Sequence, residues 1–165
     1  MNQDNKPISK SILAKTNFAN IAVSVVIEKD NKFLMVQESA PDIYGKWNFP
    51  AGKVEVGEDI LTAAKRESLE ESGYRVELTS LISVYYINWD NNAGITVRYN
   101  FRAKLVNENE KPQALADDIL KAEWMTREQV QTLVKTDQLR SSNSVRLASE
   151  TLSGKTFPID ILYTS

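Results

Sequence analysis

The stretch from Trp47 to Val76, WNFPAGKVEVGEDILTAAKRESLEESGYRV, carries the strongest pattern in this 165-residue chain. Its second half places Glu67, Glu70 and Glu71 within one arc of roughly 100° on an α-helix. Three carboxylates on one face repel one another, and like charges four residues apart destabilise a helix. A hard cation such as Mg²⁺ or Mn²⁺ bound at that face would turn this repulsion into attraction.

The residues that flank these glutamates predict where the helix begins and ends. Gly52 and Gly57 bracket a loop, and Glu58 and Asp59 put negative charge at the N-terminus of the helix, where amide groups point outward. Gly73 stands where a left-handed residue would close the helix. We therefore predict a loop, a helix of about 14 residues and a glycine stop.

A glutamate-rich helix has a second interpretation. With Lys65 and Arg66 nearby, the same carboxylates are typical of a solvated helix face whose charges pair at i and i+4. The glycines on either side of the helix, Gly52, Gly57 and Gly73, together with Glu58 and Arg66 at fixed spacing, favour the metal-binding interpretation.

Seven residues hold fixed spacings across this stretch: Gly52, Glu58, Arg66, Glu67, Glu70, Glu71 and Gly73. The series resembles the Nudix box, G-x5-E-x7-R-E-U-x-E-E-x-G-U, in which U is a bulky apolar residue, and every fixed residue of the motif is present. Ser68 departs from the motif at a U position, and Tyr74 departs mildly at the last one. Ser68 removes packing volume beneath the helix but no charge, so the metal chemistry that the motif implies is unaffected.

The resemblance implies a hydrolase that cleaves a nucleoside diphosphate linked to another moiety, or a related pyrophosphate, with Mg²⁺ or Mn²⁺. It implies metal ligation by Glu67, Glu70 and Glu71, with the backbone carbonyl of Ala51 or Gly52 as a further oxygen ligand. The implied catalytic residues are Glu67, Glu70 and Arg66. Glu67 is the proton acceptor by family analogy, and Arg66 orients the box carboxylates with Glu58.

Other candidate residues lie outside the box, and each has an ordinary structural alternative. Asp118, in an acidic segment followed by Ile119, resembles a further metal ligand of the family, or else belongs to a solvated loop. Arg98 and Arg102, on the polar face of a predicted strand, are candidates for phosphate binding or surface cations. The aromatic residues Trp47 and Tyr44 are candidates for stacking on a base, and the alternative is an aromatic side chain that enters the core.

The closing segment, residues 140–160, narrows the expected substrate. It is similar to the tail of bacterial Nudix phosphatases that act on nucleoside tri- and diphosphates and on pyrimidine pyrophosphates. We therefore expect hydrolysis of a pyrophosphate bond in such a compound by in-line attack of water. The alternatives are an ADP-ribose or nucleotide-sugar pyrophosphatase and, with less support because all box glutamates are present, a non-catalytic module that senses a nucleotide.

Composition excludes several other classes. The net charge of −2 gives no electrostatic argument for binding nucleic acid or an anionic membrane. Cysteine and histidine are both absent, which excludes disulfides, thiol nucleophiles, imidazole bases and histidine-ligated zinc. No apolar run approaches the ~20 residues that span a bilayer. We expect a cytoplasmic protein whose partner is a small nucleotide or pyrophosphate, and the sequence is compatible with a homodimer.

The remaining pattern predicts one α/β domain. Residues 1–17 are polar, which predicts a flexible or loosely packed N-terminal segment, and the resemblance implies that residues 18–165 form a Nudix hydrolase domain. Predicted strands cover residues 18–28, 33–37, 74–78, 81–89, 95–106 and 122–125, and residues 157–162 are expected to be extended. Helices are predicted near 126–136 and 141–152. Strands on both sides of the box helix, together with the resemblance, imply a Nudix fold, an α/β/α sandwich around a mixed β-sheet.

Overall fold

The computed structural model describes residues 19–89 and 94–162 of the chain. These residues form seven strands: β1 (Ala19–Lys29), β2 (Lys32–Glu38), β3 (Trp47–Asn48), β4 (Ala51–Lys53), β5 (Val76–Trp89), β6 (Gly94–Leu105) and β7 (Ile119–Thr126). They also form helices α1 (Ile60–Ser72), α2 (Arg127–Lys135) and α3 (Ser142–Ser153), and a 3-10 helix (Ile159–Ile161). The segment predicted to be flexible, residues 1–17, lies outside the described residues.

β1 lies at the centre of a mixed sheet. It runs parallel to β6, from Ala19 opposite Ile95 to Ile27 opposite Ala103, and antiparallel to β2 and β4. β7 extends the sheet beyond β2, and β5 pairs with β6 along its outer side. β1 is buried through its middle because apolar, mostly β-branched residues pack on both of its faces.

The sheet separates two hydrophobic clusters. On one face α1 packs with Ala63 and Ala64 on the odd-numbered residues of β1, such as Val25. On the other face α2 and α3 pack with residues such as Leu133 and Leu147. Helices on both faces of a mixed sheet confirm the predicted α/β/α sandwich.

The box helix has the predicted boundaries. α1 contains 13 residues and begins after Asp59, whose carboxylate accepts hydrogen bonds from the backbone N–H groups of Leu61 and Thr62 at 2.8 and 2.9 Å. It ends at Gly73, whose φ of 77° lies in the left-handed region. Local sequence signals were sufficient to define both ends of this helix.

Two secondary-structure predictions were wrong. Residues 76–89 form one strand, not two, because bulges near Ser80 and Ser83 let β5 stay paired with β6. Residues 159–161 form a 3-10 helix instead of an extended segment, although Phe157 does form an isolated antiparallel bridge with Leu81. None of the helices formed by residues 19–89 and 94–162 is long and apolar enough to cross a membrane.

Candidate functional site

The box carboxylates face a cleft between α1, the first half of β1 and the loops that follow β2 and α2. The cleft has a volume of about 1070 Å³, which is ample for a nucleotide. The box supplies Ala51, Gly52, Arg66, Glu67, Glu70 and Glu71 to its lining. The rest of the chain contributes Asp118, Arg98 and Arg140, among other residues. The structure therefore brings most of the predicted site residues to one place.

Arg66 holds the box carboxylates together. Its Nε and Nη2 donate to the two oxygens of Glu58 at 3.1 and 2.6 Å, and Nη2 also donates to the backbone carbonyl of Lys53 at 2.9 Å. Its Nη1 donates to Glu67 Oε1 at 2.8 Å and to Glu70 Oε2 at 2.9 Å. The hydrogen bond with Glu58, more than any other contact, raises the pKa of Arg66, so the guanidinium stays charged. Arg66 thus connects the loop before α1 to two of the three carboxylates.

Glu67 lies directly against the backbone of the loop. It is buried, and burial raises its pKa although Arg66 opposes the effect. A Cβ atom built on Gly52 would overlap the carboxylate group of Glu67. Any larger residue at position 52 would therefore displace this carboxylate from the space that it fills beside the loop.

Glu71 is the most deeply placed of the box glutamates. Its side chain is 5% exposed, and its Oε2 accepts a hydrogen bond from the backbone N–H of Ala51 at 2.8 Å. Burial raises the pKa of Glu71 well above its ordinary value, and the nearby charges of Glu38, Glu67 and Asp118 act in the same direction. Glu71 is thus a buried carboxyl group whose negative charge is opposed both by burial and by neighbouring carboxylates.

The donor set fits a hard divalent cation. Glu67, Glu70 and Glu71 each engage one carboxylate oxygen in the contacts above, and the second oxygen makes no hydrogen bond within the described residues. Oxygen donors of this kind suit Mg²⁺ or Mn²⁺, and a cation would offset the repulsion that raises the pKa of Glu71. Within residues 19–89 and 94–162 no three acidic side chains already stand at metal-ligand spacing. Binding would therefore require these side chains to turn toward the ion.

Two acidic residues outside the box approach Glu71. Asp118 is exposed at the cleft, and its backbone carbonyl accepts a hydrogen bond from Ser39 N at 2.8 Å. Glu38 was not predicted from the sequence, yet it is 2% exposed and ion-paired with Arg140 at 2.8 Å. A buried carboxylate at the end of β2 gives no recognisable sequence signal, because its partner is 102 positions away.

The structure separates the two arginines that the sequence placed together. Arg98 lines the cleft, and its Nη1 donates to Ser24 Oγ at 3.4 Å. Arg102 does not line it, because this side chain is ion-paired with Glu28 at 2.6 Å and donates to the carbonyl of Thr151 at 3.2 Å. Their face of β6 is also not a solvated polar face, since Asn100 between them is completely buried.

The two aromatic candidates also differ in position. Trp47 is 8% exposed and packs in the core with α2 and α3, with Lys121 Nζ 5.1 Å from its ring centroid. Tyr44 is 67% exposed, and its loop presents Asp42 and Ile43 to the cleft instead. Neither aromatic ring lies in the lining of the cleft, so base stacking by these two residues has no support from their placement.

Comparison with known proteins agrees with the fold and the box. The sequence profile of the NUDIX domain family matches residues 19–147. The chain belongs to the Nudix family. Phosphatase NudJ of Shigella boydii is 31% identical over 150 residues, which cover 87% of this chain and 90% of NudJ. The 8-oxo-dGDP phosphatase NUDT18 of Danio rerio is 33% identical over 117 residues, or 70% of this chain and 34% of that protein.

A solved Nudix structure supports the same conclusion. A Nudix hydrolase from Nitrosomonas europaea superimposes with a TM-score of 0.78 at 30% identity, over 90% of this chain and 98% of that one. The chain spans between 34% and 38% of the length of the NUDT18 relatives it matches. The predicted membership of the Nudix hydrolase family is confirmed.

The contact between Gly52 and Glu67 gives a first prediction for the Nudix box. Gly52→Ala should reduce turnover by about 10²-fold, because the added methyl group displaces the Glu67 carboxylate. The free energy of unfolding should change little, since the displaced atoms are the end of a flexible side chain. Chemical denaturation and steady-state kinetics measure the two quantities. Gly57→Ala is the control for turnover, because a Cβ at that exposed glycine meets nothing within 4 Å, although its φ of 94° should lower the free energy of unfolding by about 1 kcal/mol. Unchanged turnover in Gly52→Ala would show that this close approach has no catalytic value.

Proposed function

We propose that this protein is a divalent-metal-dependent hydrolase of a pyrophosphate bond in a nucleoside di- or triphosphate or a related pyrimidine pyrophosphate. One observation carries the proposal: the box carboxylates and Asp118 share a single nucleotide-sized cleft with Arg98 and Arg140. A polyphosphate needs cations to offset its charge as well as groups that fix its orientation. The cleft has residues suited to both tasks.

Glu67, Glu70 and Glu71 are proposed to hold Mg²⁺ or Mn²⁺, with a backbone carbonyl of Ala51 or Gly52 and with Asp118 as further ligands. When bound, such an ion neutralises phosphate charge and lowers the pKa of a coordinated water. Arg66 fixes the positions of Glu67 and Glu70 through its paired hydrogen bonds. Glu67 is proposed to accept the proton of the attacking water, as the family resemblance implies.

Water attacks a phosphorus atom in line with the bond that breaks. The new P–O bond forms as the bridging oxygen leaves with the bonding electrons, and the proton of the water passes to the carboxylate. The close approach of Glu67 to Gly52 keeps that carboxylate beside the loop during this step. The named relatives support the substrate class, since NudJ is called a phosphatase and NUDT18 an 8-oxo-dGDP phosphatase.

The test is release of phosphate and pyrophosphate with Mg²⁺ across a substrate panel. The panel contains nucleoside tri- and diphosphates, oxidised nucleotides, ADP-ribose, dinucleoside polyphosphates and pyrimidine pyrophosphates. We expect orthophosphate from tri- or diphosphates or from pyrimidine pyrophosphates. Turnover of ADP-ribose alone would replace the proposal with the ADP-ribose pyrophosphatase alternative. Binding of nucleotide without any turnover would favour the sensor alternative.

Three further expectations belong to the same proposal. Residues 18–165 are proposed to act as one domain, in the cytoplasm, on a small molecule and not on nucleic acid or membrane. A homodimer is the proposed oligomeric state, which sedimentation equilibrium measures directly. Omission of the divalent ion, or addition of EDTA, should abolish turnover. Readdition of Mg²⁺ should restore it.

A further inference from the structure

Arg98 is half-buried and has no carboxylate partner among the described residues. Its Nε has no hydrogen-bond partner among the described residues, and its Nη1 makes only the long contact of 3.4 Å with Ser24 Oγ. Within residues 19–89 and 94–162 no acidic side chain is ion-paired with it. A partly buried charge that lacks an ion pair and leaves a buried N–H without a hydrogen bond carries a desolvation cost. The arrangement indicates a position that an external anion completes.

Among the described residues, the Nε atoms of Arg98 and Arg102 are both buried without a hydrogen-bond partner, and what distinguishes Arg98 is the lack of an ion pair. Arg66 and Arg102 are each ion-paired with glutamates of this chain, as described above. Arg98 differs because β6 places it opposite Ala22 of β1, whose small side chain leaves the guanidinium open to the cleft. Position in the sheet, and not residue type, therefore makes this arginine available to a ligand.

Arg140 provides a second positive charge in the same cleft. Its Nη1 is held by Glu38 at 2.8 Å, and Glu38 also accepts from Asn48 Nδ2 at 3.3 Å. Asn48 Oδ1 in turn accepts from Ser144 Oγ of α3 at 3.0 Å. This buried network fixes the Arg140 guanidinium while its side chain stays 37% exposed. Burial, and then the charge of Arg140, lowers the pKa of Arg98, whereas the carboxylates of Glu71 and Glu38 act in the opposite direction. Both guanidinium groups belong to the lining of the same cleft.

We infer that Arg98 and Arg140 form an anion-binding pole of the cleft that takes the terminal phosphate of the substrate. This inference rests on the proposed function and specifies its substrate class. Guanidinium groups donate in a planar fork that matches phosphate oxygens. A terminal phosphomonoester carries close to two negative charges, which matches two guanidinium groups, whereas a phosphodiester carries one. The cleft therefore selects nucleotides with a free terminal phosphate over diphosphates that are esterified at both ends.

ADP and ADP-ribose are a matched pair for this test, because they share the nucleoside diphosphate and differ in whether the last phosphate is free. Their affinities for the full-length protein are measured by calorimetry in EDTA, so that no metal contributes. We expect wild type to bind ADP about tenfold more tightly than ADP-ribose. Arg98→Gln should weaken ADP binding about tenfold, leave ADP-ribose binding nearly unchanged, and so abolish the preference. Arg98→Lys should retain only part of the preference for ADP, since lysine lacks the planar fork of the guanidinium group.

Lys104→Gln is the matched control, because it removes one positive charge from the same strand at a residue whose ion-pair partner is the exposed Glu77. It should keep the ADP preference. Without ligand, Arg98→Gln should melt no lower than wild type, because it removes a half-buried charge that has no carboxylate partner. Equal binding of ADP and ADP-ribose to wild type, no measurable binding of ADP, or an unchanged preference in Arg98→Gln would each overturn the inference. An absence of hydrolysis in the Mg²⁺ panel, with the preference intact, would overturn the proposed function instead.

Discussion

Glu71→Gln is expected to reduce turnover by roughly 10²- to 10⁴-fold, the range for loss of a positioned acid, base or charge at an active site. The substitution keeps the shape of the side chain and an oxygen that can accept the hydrogen bond from Ala51 N. It removes the negative charge that a divalent ion would need. Burial already raises the pKa of this carboxyl group, so the neutral amide should leave the free energy of unfolding unchanged or slightly increased.

The measurements are kcat with Mg²⁺ and the midpoint of urea unfolding on the same preparation. Glu77→Gln is the matched control, because Glu77 is an exposed glutamate of β5 that is ion-paired with Lys104. It should retain wild-type kinetics. Turnover near the wild-type value in Glu71→Gln would refute the assignment of the box carboxylates as the metal site, whichever substrate is used.

The box and its helix could be predicted because the information is local. Asp59 and Gly73 define the ends of α1 through contacts within a few residues, and the order of charges along one helix face does not depend on the rest of the fold. The same is true of the contact between Arg66 and Glu70, which lie four positions apart. Local geometry of this kind is readable from sequence.

The arginines of the cleft outside the box could not be assigned from sequence, because their contacts depend on register and on distant pairings. Alternation along β6 placed Arg98 and Arg102 on one face, which is correct. Whether either arginine forms an ion pair depends on which residues of the neighbouring strand β1 lie next to it. Arg102 lies next to Glu28 and is ion-paired with it. The ion pair between Glu38 and Arg140 joins residues 102 positions apart, so no local pattern marks it.

Ser68 shows how tertiary contacts compensate for a departure from the box motif. A serine at a position that usually holds a bulky apolar residue was expected to loosen packing beneath α1. The side chain is completely buried, and its hydroxyl donates to the carbonyl of Tyr74 at 3.0 Å. Ser72 Oγ donates in turn to the carbonyl of Ser68. The Ser68 hydroxyl, which stands where the motif has an apolar side chain, is therefore satisfied by hydrogen bonding.

The largest loss of stability is expected from Gly73→Ala. Gly73 has a φ of 77°, and a Cβ atom there would lie 2.6 Å from the backbone carbonyl oxygen of Gln113. Both the left-handed conformation and the clash with backbone oppose the substitution, so the free energy of unfolding should fall by roughly 2–4 kcal/mol. Urea denaturation monitored by circular dichroism measures this loss.

Gly154→Ala separates the two causes. Gly154 also ends a helix in the left-handed region, with a φ of 76°, but a Cβ there meets nothing within 4 Å. Its substitution should cost only the conformational term, about 1 kcal/mol. The additional loss of unfolding free energy in Gly73→Ala, relative to Gly154→Ala, then measures how tightly the segment at Gln113 packs against the end of α1. Leu115 N and Ala116 N of this segment donate to the carbonyl of Glu70. Because this segment leads directly to Asp118, Gly73→Ala should also reduce turnover. Equal losses of unfolding free energy in Gly73→Ala and Gly154→Ala would mean that the segment at Gln113 moves aside without loss of stability.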